Sequence, residues 1–133
     1  MNQRSKLSPK NKYYISKYRY LELKNFCLQY PEWKNALIQL SPLKANFGKI
    51  SSGNFSDPTA DNAILIDKYQ SLISIIDTTA KQADAFLAPW IIKGVTENYS
   101  YEYLHLKLEM PTSRDTYYDR YRKFFWILDS TRN

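Results

Sequence analysis

Residues 111–128 read PTSRDTYYDRYRKFFWIL, and this stretch decides the fold. Pro111-Thr112-Ser113 is a turn ending in a capping residue, because a serine hydroxyl can accept from a free amide of a helix's first turn. Tyr117, Tyr121, Phe124, Phe125 and Leu128 fall at offsets of 4, 8, 11, 12 and 15 from Ser113. Those offsets make one continuous apolar face at the α-helical period. The spacing predicts a helix over 114–129. Its other face carries Arg114, Asp115, Tyr118, Asp119 and Arg122, with Thr116, Arg120 and Lys123 at the margins.

Upstream, Ser100 is a candidate cap for a short helix over 101–109. Leu104, Leu106, Leu108 and Met110 alternate strictly, a strand period, whereas Tyr101, Leu104 and Leu108 share a helical face. Periodicity alone leaves both open. Asp84 can cap a helix holding Phe86, Leu87, Trp90, Ile91 and Val95, with Gly94 near its end and Pro89 forcing a kink or a later start. Two short helices joined by a turn of about three residues, with a third in front, are the layout of a trihelical helix-turn-helix.

Further back, Asp57-Pro58 reads as an N-cap and first helical position. Ala63, Ile66, Tyr69, Ile73 and Ile76 then follow helical spacing, with Leu65, Leu72 and Ile75 widening the expected buried face. Residues 41–57 hold two of the chain's three glycines and no long periodicity, so they read as a linker. Ser41-Pro42 closes a helix whose stripe is Trp33, Leu37 and Leu40 and whose first turn accepts Pro31. Tyr20, Leu23, Cys27 and Tyr30 mark one more helix over 16–30, and residues 1–12, poor in apolar side chains, are expected to fray. The expected fold is all-α. A basic tail, two helices and a linker occupy 1–57, a long connecting helix 58–82, and a helix-turn-helix domain 83–133.

The chain has 133 residues, 44% of them apolar, enough for the core of one domain. Its three glycines, about 2% against a usual ~7%, argue against a turn-rich β fold. No apolar run approaches the roughly 20 residues that cross a bilayer, and the polar N-terminus has no apolar stretch of a secretory signal. Cys27 and His105 each stand alone, so an internal disulfide, a multi-cysteine metal site and a His-rich centre are all excluded. A tyrosine nucleophile needs acid–base groups or a metal cage around it, and one histidine does not supply that setting. His105 reads as a surface or satisfied histidine and Cys27 as a small buried hydrophobe. No catalytic residue, metal or cofactor is expected, and the chain reads as a non-enzyme of the cytoplasm.

Charge points to a partner. Nineteen basic and thirteen acidic residues leave +6. Residues 1–30 hold Arg4, Lys6, Lys10, Lys12, Lys17, Arg19 and Lys24 against Glu22 alone. A basic end on a near-neutral body suits a polyanion, since neutralising phosphates releases counterions. Lys12-Tyr13-Tyr14 and Lys17-Tyr18-Arg19-Tyr20 interleave aromatic rings with charge, which reads as an arm on phosphate, a docking surface for RNA polymerase, or a solvated tail.

Residues 114–123 span about 15 Å as a helix, a rod that a B-DNA major groove about 12 Å wide can admit. Arg114, near the start, can reach a guanine edge, a bidentate contact worth about 1–3 kcal/mol of discrimination. Thr116 suits a phosphate or a thymine methyl, Tyr118 a sugar or phosphate, and Arg122 and Lys123 phosphates. The helix start at Ser113 favours a phosphate as well. Ser113, Arg114, Asp115, Thr116, Tyr118, Asp119, Arg122 and Lys123 are therefore the candidate DNA-contacting positions. The same face also reads as a solvated one, with Asp115–Arg122 and Asp119–Lys123 as surface ion pairs.

The 111–128 stretch resembles the C-terminus of small phage and prophage proteins, the RinA/ArpU-type regulators of late genes. Weaker likeness extends to Tyr30-Pro31-Glu32-Trp33, Ser56-Asp57-Pro58-Thr59-Ala60 and Val95-Thr96. The resemblance implies a helix-turn-helix similar to region four of bacterial sigma factors, with no enzymatic activity. It implies Ser113 as the recognition-helix cap, Thr116 as an early groove-facing position and Arg122-Lys123 as a basic pair. It also favours helix over strand at 104–110. The expected function is that of a sequence-specific DNA-binding activator of prophage late genes, with duplex DNA and bacterial RNA polymerase as partners. The rivals are a protein-interaction adaptor or antirepressor, and a DNA-packaging component of the small-terminase kind.

Overall fold

The computed structural model describes residues 9–40 and 60–133, all of whose regular elements are α-helices. They are α1 (Lys17–Leu28), α2 (Tyr30–Leu40), α3 (Ala60–Ala83), α4 (Ala88–Glu97), α5 (Tyr101–Leu106) and α6 (Arg114–Thr131). The expected fraying end (in its first eight residues), the 41–57 linker, Ser41-Pro42 and the Asp57-Pro58 cap lie outside the described residues. No described helix is long and apolar enough to cross a membrane.

The chain divides into two compact units, 1–29 with 75–133, and 30–74. This differs from the expected cuts near 57 and 82, because α1 packs on α4 and α6. The second unit holds α2, with Pro31 in its first turn and Tyr30 and Trp33 buried, and the first part of α3. Leu37 and Leu40 are only half-buried there, and Ile38 is exposed. On α3 the expected apolar face is largely unburied. Ala63 and Leu65 are exposed, Ile66, Tyr69 and Ile73 half-buried, and full burial is confined to Ile76, Thr79, Ala80 and Ala83.

In the first unit several helix ends have a local cause. Asp84 Oδ1 accepts from the Leu87 amide at 2.9 Å, and α4 starts only at Ala88, with Pro89 where its missing N–H costs nothing. Of the kink or later start expected from Pro89, the later start is the one formed. Asn98 ends α4 at φ 60°, a left-handed conformation that asparagine tolerates. Ser100 accepts from Tyr103 N–H at 3.1 Å and caps α5. The helix is shorter than the expected 101–109. Past Leu106 the Leu104 carbonyl receives both the Leu108 and the Met110 amides, Glu109 takes φ 57°, and Met110 turns inward to full burial. The link to α6 therefore runs over 107–113 rather than over three residues.

The core of this unit is built on α6. Tyr117, Phe124, Phe125 and Leu128 are buried, with Leu23 of α1, Ile91 and Val95 of α4 and Leu104 of α5. Each such aliphatic or aromatic side chain contributes about 1.5–3 kcal/mol by leaving water. Tyr20 ties α1 to α6: its ring meets Phe125 edge-on at 5.1 Å, and its hydroxyl bonds that of Tyr121 at 2.8 Å. Cys27 is wholly buried, and desolvation pushes its thiol pKa up, as suits a small hydrophobe.

Candidate nucleic-acid interface

The candidate surface is the outward side of α6, held from behind by the core just described. Ser113, in extended conformation, caps it: its Oγ accepts from Thr116 N–H at 3.2 Å and donates to Thr116 Oγ1 at 3.1 Å. Thr116 is half-buried, and Asp115 is exposed in the first turn, where the helix dipole favours a carboxylate.

Arg114 lies at the surface, and its guanidinium is occupied. It pairs with Glu102 of α5 and sits 5.3 Å over the Tyr118 ring. A hydrogen bond from the backbone N–H of Glu102 itself, and then the charge and hydrogen bond of Arg114, hold the Glu102 carboxyl below its ordinary pKa. Tyr118 is not on the open face. It is buried, 7% exposed, with its hydroxyl accepting from Tyr101 N–H at 3.3 Å and its ring against Tyr117 and Tyr121. The physical reason is a second row: Tyr118, Tyr121 and Phe125 recur at three and four residues, so the buried arc of α6 is wider than the first stripe. Tyr118 is thus a support beneath Arg114 and not a contact residue.

The surface ion pairs expected within this face are not the ones formed. Asp119 pairs with Arg120, and Arg120 Nε also donates to Asp84 Oδ2 at 3.0 Å. That hydrogen bond to Asp84 comes first in raising the Arg120 pKa, and it ties α6 to the turn before α4. Arg122 and Lys123, both half-exposed, have no carboxylate partner among the described residues. The Nε of Arg122 is buried without a hydrogen-bond acceptor among them.

One residue of this surface escaped the reading of the sequence. Trp126, 42% exposed, lies one turn beyond Arg122 and Lys123 and off the apolar stripe. Its signal was an aromatic at a polar-face position. Its neighbour is Tyr13, with ring centroids 5.5 Å apart, a pairing across more than a hundred residues that no local pattern announces. His105 is exposed, stacks on Tyr101 at 5.3 Å and bonds the Met110 carbonyl through Nδ1 at 2.8 Å. Among the described residues no group of three or more His, Cys, Asp or Glu side chains is placed to hold a metal ion. No protein-family model, curated protein or solved structure matches this chain.

Proposed function

We propose that the protein is a sequence-specific DNA-binding transcription regulator, with α4–α6 used as a trihelical helix-turn-helix and α6 as the groove-entering helix. The observation that carries the reading is the pair Arg122 and Lys123, two cations without carboxylate partners on the outward side of a capped, rigidly backed helix. Such cations neutralise phosphates and position a helix, while residues nearer its start read bases.

Arg114 is that reader. Its link to Glu102 is between exposed side chains, a class that contributes little, whereas a bidentate guanine contact is worth about 1–3 kcal/mol of discrimination between bases. Arg114 can exchange this exposed partner for a guanine edge, and the Tyr118 ring under its guanidinium supports it meanwhile. The likeness to RinA/ArpU-type regulators extends the proposal to activation of prophage late genes in the bacterial cytoplasm, together with host RNA polymerase and without a catalytic step.

The test is selection of bound duplexes from a random pool, with wild type and Arg114→Ala side by side. The proposal expects an enriched motif that loses a guanine preference in the variant. An unchanged motif and affinity would remove Arg114 from base reading. Binding that ignores salt would favour the adaptor reading, because an apolar protein interface lacks the counterion term.

A further inference from the structure

The basic N-terminal segment is not separate from α6. Asn11 organises it: Tyr13 N–H donates to Asn11 Oδ1 at 2.8 Å, and Tyr14 N–H to the Asn11 carbonyl at 3.1 Å. That turn presents Tyr13 to Trp126 and sets the Lys12 ammonium 5.1 Å from the Tyr13 ring centroid. At the start of α1, Arg19 Nε donates to Asp129 Oδ1 at 2.6 Å, a second anchor on α6. Lys17, exposed beside the exposed Tyr18, lies between the two anchors in the chain.

We infer that residues 11–19 and the outward face of α6 form one strip for the phosphate backbone of duplex DNA, joined at the Tyr13–Trp126 pair. The inference rests on the DNA-binding reading and extends its footprint. Charge selects the occupant. Arg19 is neutralised by Asp129 and Glu22, but Lys12, Lys17, Arg122 and Lys123 have no carboxylate partner among the described residues. Lys12 stands beside the Tyr13–Trp126 pair, and Arg122 and Lys123 lie one helical turn from Trp126 along α6. An arm already pinned to the helix pays no ordering entropy on binding, unlike a free tail.

The experiment is a salt titration of the full chain against a labelled mixed-sequence duplex of about 30 base pairs, three helical turns. Phosphate binding is sequence-independent, so no operator is needed. Four neutralised phosphates give a log–log slope of about −3.6, so affinity falls about 150-fold between 50 and 200 mM salt. Lys12→Gln with Lys17→Gln is expected to halve the slope, to about −1.8, and the fall to about 12-fold. Trp126→Ala removes the anchor but no charge; it is expected to weaken binding about three- to tenfold with the slope kept.

An unchanged slope in the double lysine variant, with wild type binding normally, overturns the strip and leaves the α6 reading standing. Failure of the wild type to bind the duplex at the lowest salt overturns both. Tighter binding of the single strand than of the duplex assigns the aromatic pair to base stacking and overturns the duplex strip.

Discussion

Gly94 of α4 faces Tyr117 of α6, and the contact leaves no room for a methyl group. A Cβ at residue 94 would overlap the Tyr117 hydroxyl and lie 3.4 Å from both Tyr117 Cζ and Leu104 Cδ1. Tyr117 and Leu104 are both fully buried, so neither can swing away. Gly94→Ala should therefore carry an overpacking cost of about 1–3 kcal/mol, offset by the roughly 1 kcal/mol that alanine gains over glycine inside a helix. The net loss of about 0–2 kcal/mol corresponds to a Tm lower by up to roughly 12 °C at this chain length. Tyr117→Phe takes away the overlapping oxygen and leaves an ordinary carbon contact. In that background Gly94→Ala should be neutral or slightly stabilising. Thermal and urea unfolding followed by circular dichroism, over the four members of the cycle, measures the coupling. A Gly94→Ala that stabilises the wild-type background, or one with the same effect in both backgrounds, would refute this packing of α4 on α6.

The Tyr20–Tyr121 hydroxyl pair should behave as a buried hydrogen bond. Either tyrosine changed alone to phenylalanine should cost about 1–3 kcal/mol in urea unfolding, and the double change less than the sum. Ser113→Ala should cost about 0.5–2 kcal/mol through the lost cap, read as earlier amide exchange in the first turn of α6. Because the Glu102 carboxyl lies below its ordinary value of about 4.3, its link to the fold is present above that pH and lost as pH falls through the lowered value. The stability gap between wild type and Glu102→Gln should then close on acidification in pH-dependent urea unfolding. At neutral pH the same variant frees Arg114 and should tighten duplex binding up to about fivefold by anisotropy.

Much of the C-terminal fold was legible because its signals are local. A cap at Ser113 and the five apolar positions of α6 needed only helical geometry, as did the cap at Ser100 and the delay that Pro89 imposes on α4. What escaped was set by partners. Tyr118 belongs to a buried second row because α6 is covered by α1, α4 and the start of α5, a fact that its own period shows only once the arc is known to be wide. The length of α5 depends on Met110 finding the core, which pulls the chain out of the helix after Leu106. On α3 an evenly spaced apolar face overstated burial, since spacing reports which residues share a side and not whether anything covers it. The assignment of charges was hidden likewise. Arg120 spends its guanidinium on Asp84 and Asp119, which leaves Arg122 and Lys123 as the cations available to an anion.

The open side of α6 is tested most directly by ¹H–¹⁵N spectra of the labelled full chain titrated with duplex DNA at low salt. Perturbations should concentrate at Arg114, Thr116, Arg122, Lys123 and the Trp126 indole N–H, with the amides of Tyr117, Phe124 and Leu128 little changed. Perturbations confined to α2 and α3, or none at any duplex concentration, would contradict the assignment of α6 as the DNA-facing helix.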